Sequence, residues 1–249
     1  MVFFRGKYRS AIFITSLLCL GSVINSSSIA STFVTENVNE SRIIKAADQN
    51  NIDILKSLLD QGGNPNEKGK FEATALHKAA FNGHKPTASI LINSGADINA
   101  KDFGGATPLH IATRQGNTDM VRLLIQSGAE IDVKDNEGYT PLHRAILNNS
   151  TPAAMVLLEA GAEPNTTSRS GDTPLIDASR KGNNVVVEDL IAKGADKSKI
   201  NSRGLGADDY AKKNLNVDVS QTLTKSKSDI LRNKAANKSS VIIIDKNSI

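Results

Sequence analysis

Short apolar groups alternate along the chain with turns built from Gly, Asn and Asp. The stretch that begins GATPLHIATRQGN at Gly105 shows what this pattern predicts. Thr107 is placed to cap a helix starting at Pro108, because proline in a first turn gives up no hydrogen bond that the helix needs. Gly116 ends that helix in a left-handed turn. A second helix is predicted over Asp119–Gln126, carrying Met120, Val121, Leu123, Leu124 and Ile125, and Gly128 closes it. Pro86 and Pro152 fall in the opening turns of other such second helices, where proline is tolerated. The connecting EIDVKDNEGY has Asp, Asn and Gly in turn positions and reads as a hairpin-like loop.

The same sentence is written several times. Thr74-Ala75-Leu76-His77 becomes Thr107-Pro108-Leu109-His110, then Thr140-Pro141-Leu142-His143, then Thr173-Pro174-Leu175-Ile176, each 33 residues on with no insertion. A second phrase keeps the same step: GGNPN at Gly62, GADIN at Gly95, GAEID at Gly128, GAEPN at Gly161 and GADKS at Gly194. Eroded copies continue the register at Ser41–Ala47 and Gly204–Ala211. Helices this short are unstable alone. Stacking the units buries their apolar faces in one continuous core, so stability is shared between neighbours.

The period, the Thr-Pro-Leu-His phrase and the Gly-Ala-Asp phrase resemble the ankyrin repeat family over about Ser41–Val217. The resemblance implies an all-α solenoid of stacked helix–turn–helix–loop units, four clear ones with degenerate units at both ends. The expected boundaries are 36–68, 69–101, 102–134, 135–167 and 168–200, with a degenerate cap over 201–224. Ser57 is expected to interrupt the second helix of the first unit. The second helix of the last unit is expected to fade into DVSQTLTKSK. Ile176 replaces the histidine and Asp189 replaces an apolar residue, so the fifth unit is expected to be the weakest internal one.

The N-terminus has a different character. Arg5, Lys7 and Arg9 precede an apolar stretch, Ala11–Ile24, and small residues follow at Ser28 and Ala30. This is the layout of a secretory signal over residues 1–30, cleaved between Ala30 and Ser31, with residues 31–40 as a linker. The alternative is an uncleaved anchor, although a stretch of 14 residues falls short of the roughly 18–20 that span a bilayer. Only in that case would the membrane be a partner. Cys19 is the sole cysteine, so a chain starting at Ser31 would hold no disulfide, thiolate nucleophile or cysteine metal ligand.

The formal charge of +4 is a property of the ends. From Ser31 to Val217 there are 21 basic and 23 acidic residues, a net −2. That balance gives no electrostatic case for nucleic acid as a partner.

His77, His110 and His143 invite a catalytic or metal reading. Equivalent residues in adjacent units lie about 8–10 Å apart, whereas ligands of one zinc each lie about 2 Å from it. These rings therefore read as scaffold, each bonding the loop backbone near its own Thr. His84 reads as structural too. No phosphate loop, paired-histidine motif or nucleophile elbow is present. Asp208-Asp209 reads as a solvated face, because neighbours on a helix point apart. The sequence thus predicts a non-enzymatic protein with no cofactor and no small-molecule substrate.

In the family the resemblance points to, loop tips and first helices form a concave binding surface. Mapped by register, the candidates here are Phe71, Phe81, Phe103, Arg114, Gln115, Tyr139, Leu147, Arg169, Arg180, Lys181 and Lys213. Exposed aromatics beside arginines suit a binding hot spot, and the basic side suits a protein partner with an acidic patch and an apolar knob. For Phe71 the alternative is packing under the first loop; for the charges it is solubilising the groove.

The tail, residues 225–249, is rich in Ser, Asn and Lys and is expected to be disordered, with SSVIIID as a possible edge strand. The reading is an exported binding module, periplasmic or secreted, with a bacterial source suggested by the Asn-, Lys- and Ile-rich composition. Its rivals are an effector acting inside a host cell and an accessory subunit of a periplasmic enzyme.

Overall fold

The computed structural model describes residues 41–246; the predicted signal, its Ala30–Ser31 junction, Cys19 and the linker lie outside them. Six helix pairs follow one another at the repeat period: α1 Arg42–Asp48 and α2 Ile52–Asp60, α3 Ala75–Asn82 and α4 Lys85–Asn93, α5 Pro108–Gln115 and α6 Thr118–Gln126. Then come α7 Pro141–Leu147 and α8 Thr151–Glu159, α9 Pro174–Lys181 and α10 Asn184–Ala192, α11 Ala207–Lys213 and α12 Val217–Thr224. A last helix, α13, runs Lys227–Lys246. Odd-numbered helices α1–α11 stack on one another as an inner row, and the even-numbered ones pack as an outer row. Among the described residues there is no strand, only an isolated bridge between Ile200 and Gly206.

Each helix starts and stops for a local reason. Thr74, Thr107 and Thr140 cap α3, α5 and α7, and in each case the histidine three residues on completes the capping box. Thr173 caps α9 by accepting from the Ile176 N–H. The inner helices α3, α5 and α9 end at Gly83, Gly116 and Gly182, with φ near +70°, which glycine reaches without a Cβ clash. Asn50, Asn149 and Leu215 hold the equivalent backbone at φ 52°, 57° and 56°.

The core is written in the same step of 33. Leu76, Leu109, Leu142 and Leu175 are buried on the inner helices, and Leu91, Leu124, Leu157 and Leu190 on the outer ones. Truncating one such leucine to Ala costs about 2–5 kcal/mol, a large share of a stability that neighbouring units hold in common.

Backbone ladders reinforce the stack. At the hairpin tips the N–H of Phe103 donates to Phe71 O at 2.9 Å, Asn136 to Gly104 O at 2.9 Å, Arg169 to Glu137 O at 3.0 Å and Ser202 to Ser170 O at 2.9 Å. At the start of the outer helices His84 lies 3.2 Å from Ala47 O, and Asn117 donates to Ala80 O at 3.1 Å. His84 is therefore a bridge between units.

Three sequence expectations are corrected. Ser57 does not interrupt α2: it lies on an exposed face, where its hydroxyl accepts from Gln61 Nε2 at 2.9 Å. The last outer helix does not fade, because Val219, Thr222 and Leu223 are buried and hold α12 in the outer row. Residues 227–246 of the tail form a helix instead of the expected coil. Ser226 and Asp229 cap α13 reciprocally, Ile230 is buried, and the helix packs against α10. The SSVIIID segment falls inside this helix, so it offers no edge strand.

Candidate partner-binding face

The inner helices and hairpin tips share one face. At its centre, a cleft of about 220 Å³ is lined by Asp102, Ile111, Arg114, Asn136, Glu137 and Arg144. Tips and helix ridge thus meet across it. Two ridge rows follow from the register: Lys78, Ile111, Arg144, Asp177 and Tyr210 deeper in, then Phe81, Arg114, Leu147, Arg180 and Lys213 further out.

Behind the face lies a histidine ladder. Nδ1 of His110 accepts from the Thr107 N–H at 3.2 Å, which leaves Nε2–H to donate to Tyr139 O, 3.1 Å away in the next unit. His77 reaches Ala106 O at 3.0 Å and His143 reaches Asp172 O at 3.2 Å in the same way. The rings therefore bond their own Thr and also clasp the following repeat, a second role that sequence reading missed. Burial lowers the pKa of all three, to about 4 for His110 and for His143, so they are neutral near pH 7. Among the described residues no three His, Cys, Asp or Glu side chains form a metal-holding group.

Two of the arginines on this face have their partners within the fold. Arg144 donates through Nε to Asp135 at 2.7 Å and through Nη2 to Glu137 at 2.9 Å, and its guanidinium lies 4.6 Å from the Tyr139 ring centre. Asp135 is itself tied into its hairpin, accepting from the N–H groups of Glu137 and Tyr139. Tyr139 is accordingly half-buried, tilted against His143 at 5.7 Å between ring centres. Arg180 forms ion pairs with Asp177 and Asp172, and it lies 5.4 Å from the Tyr210 ring centre. Asp172 also accepts from Asn201 at 2.7 Å and Ser170 at 2.8 Å. Asp177 is fully buried and its Oδ2 has no hydrogen-bond partner; burial pushes its carboxyl up to about 7, against the attraction of Arg180. Sequence reading placed Arg180 and Tyr139 on the face but missed the ion pairs that Arg144 and Arg180 make with these acids. The i,i+3 spacing of Asp177 and Arg180 on one helix was the available signal.

The other candidates are differently placed. Phe71 is 69% exposed and Phe103 72%, both at hairpin tips, and Phe81 is 49% exposed on the ridge. Phe71 therefore does not pack under its loop. Among the described residues its ring meets Lys70, with Nζ 5.4 Å from the ring centre. Phe71 and Glu72 also adopt left-handed backbone, φ 57° and 58°, a conformation that costs non-glycine residues about 1–2 kcal/mol. Gln115 is exposed and Leu147 is half-buried beside it in the register. Arg114, Arg169, Lys181 and Lys213 are exposed, and among the described residues none of them forms an ion pair.

Asp208-Asp209 has a use within the fold. Asp209 accepts from the Gly206 N–H and caps α11, while Asp208 pairs with Lys212.

The sequence model of ankyrin repeats, in three copies, matches residues 43–135 and 127–201. No curated protein matches the chain. Ankyrin repeats are generally protein–protein interaction modules and typically non-enzymatic. With stacked helix pairs in register along the matched residues, the chain belongs to the ankyrin repeat family.

Proposed function

We propose that the protein is exported and binds a partner protein, bearing an acidic patch, on the face of its inner helices and hairpin tips. One observation carries this reading. Arg144 and Arg180 are consumed by internal acids, whereas Arg114, one repeat on from Phe81, and Arg169, Lys181 and Lys213, further along the same face, stand exposed and form no ion pair among the described residues. The fold has no need of these groups, and aromatics flanked by arginine are the usual anchors of a protein interface. Export is supported by the basic start, the apolar Ala11–Ile24 and the Ala30–Ser31 junction.

The test places a photo-crosslinking residue at Phe103 or Phe81, and at Asp119 on the outer row as a control, in producing cells. A discrete adduct from both inner-face sites and none from Asp119 is expected, on a chain whose intact mass begins at Ser31. The triple change Arg114→Glu, Lys181→Glu, Lys213→Glu should abolish it with the helical CD signal unchanged. Equal adducts at Asp119 and Phe103 would overturn the binding face, and a full-length chain in the cytosolic fraction would overturn export.

A further inference from the structure

The outer ridge row offers one side chain per repeat: Phe81, Arg114, Leu147, Arg180 and Lys213. Arg180 is occupied by Asp172 and Asp177, so among the described residues the row presents in order an apolar group, an unpaired cation, an apolar group, a neutralised position and an unpaired cation. Successive members are one helix-packing distance apart, about 8–10 Å.

A ligand touching every member must repeat its own face at that pitch. A β-strand covers about 10 Å in three residues, but odd steps alternate between its two faces, so it meets only every other repeat. Seven residues of α-helix make about two turns and rise about 10.5 Å, returning the same face to each repeat. A polyproline helix, with three residues and about 9.3 Å per turn, also keeps the pitch, but its backbone groups need partners from water or from the surface. Of the ridge amides that would supply them, only Gln115 has no hydrogen bond among the described residues; the other three are already committed. Asn82 donates to Asp48 O at 3.3 Å, Asn148 to Arg144 O at 2.8 Å and Asn214 to Arg180 O at 2.9 Å. An α-helix arrives with its backbone satisfied internally.

Building on the proposed function, we infer that the partner presents an amphipathic α-helix lying along this ridge. Its contacts recur in steps of about seven residues: apolar at Phe81, acidic at Arg114, apolar at Leu147, small at Arg180 and acidic at Lys213. The acidic group opposite Arg114 sets register, because this cation stands between the apolar Phe81 and Leu147 and a slip of one repeat sets a carboxylate against one of them.

The probes are fluorescein-labelled synthetic helices in an Ala/Gln host, about 29 residues long, with Leu, Glu, Leu, Ala and Glu at heptad spacing. Both chain directions are made, as is a proline-rich peptide with the same five anchors three residues apart. Fluorescence anisotropy is expected to show binding by one heptad-spaced helix. Changing its first Glu to Lys should weaken binding at least tenfold, and Arg114→Glu should restore it to within about threefold. Lys213→Glu paired with Lys at the last anchor supplies an independent swap. Binding by the three-residue-pitch peptide alone, by no peptide, or by a helix indifferent to the charge swap would overturn the inference. If inner-face crosslinks persist in any of those cases, the proposed binding face stands and only the helical partner falls; if the crosslinks are absent too, both fall.

Discussion

Lys234 of α13 forms an ion pair with Asp189 of α10, 45 residues earlier in the chain. Asp189 occupies the place that Leu123 and Val156 hold in earlier units. Its side chain is 19% exposed, and its second oxygen is buried without a partner. The polar intrusion that marks the fifth unit in the sequence is therefore met from outside the repeats. Lys234→Met is expected to cost about 1–3 kcal/mol, above an exposed pair and below a fully buried one. Adding Asp189→Leu should recover most of the loss, since an apolar pair of similar volume replaces a partly buried charge pair. Urea unfolding of the single and double variants checks this; a single-variant change under about 0.5 kcal/mol would show that the pair contributes little.

Acidification should destabilise the array, and Asp177 should soften the effect. His110 and His143 hold ordinary values of 6.5 when unfolded and about 4 when folded. Between those values unfolding takes up about two protons, so stability present above pH 6.5 is lost as pH falls towards 4. His77, also lowered by burial, adds in the same direction. Asp177 runs the other way. Its carboxyl moves from 3.8 to about 7 on folding, so unfolding releases about one proton in that window and its contribution declines as pH rises. The net slope between pH 4.5 and 6.5 is expected to be at least about 1.4 kcal/mol per unit. Asp177→Asn should steepen it by about the same amount. Urea midpoints across the range decide the matter, and equal slopes in both proteins would refute the role of Asp177.

The period, caps and leucine rows of this fold are legible in the sequence because each depends on residues within one unit or one step of 33. The register also sets Arg114 on an inner helix and Phe103 at a hairpin tip. What it could not show is which cations remain available, because Arg144 is neutralised by a hairpin that folds back over it and Arg180 by an acid buried beneath it. The histidines' reach into the next unit was hidden for the same reason: local spacing explains Thr107–His110 but not the carbonyl of Tyr139. The last helix escaped because its composition is polar and outside the period. Its capping pair, Ser226 and Asp229, and its buried anchor, Ile230, acquire meaning only against α10.

Leu215 carries backbone strain that the fold does not need. It stands where α3, α5 and α9 end in glycine, at φ 56° and 85% exposed. Left-handed backbone costs a side chain of this kind about 1–2 kcal/mol, partly offset by the greater unfolded freedom of glycine, about 0.5–1 kcal/mol. Leu215→Gly is expected to stabilise by about 0.5–1 kcal/mol with no packing lost. A thermal scan that shows a lower midpoint for the variant would mean that the exposed leucine has a contact worth more than its strain.

Arg144 and Arg114 sit on the same cleft and should behave oppositely. The carboxylate paired with Arg144 belongs to Asp135, whose side chain is 1% exposed, and the arginine itself is 23% exposed. Arg144→Ala strands that charge and loosens Tyr139, so a loss of about 2–4 kcal/mol is expected, close to the cost of breaking a buried pair. Arg114 makes no ion pair among the described residues and is exposed, so Arg114→Ala should stay within about 0.5 kcal/mol of the parent while weakening capture of the partner. Measuring stability and crosslinking yield on both variants separates arginines that hold the face from arginines that use it. Comparable stability losses in the two would mean that Arg114 also supports the fold, and its effect on binding would then have to be read through Lys181 and Lys213.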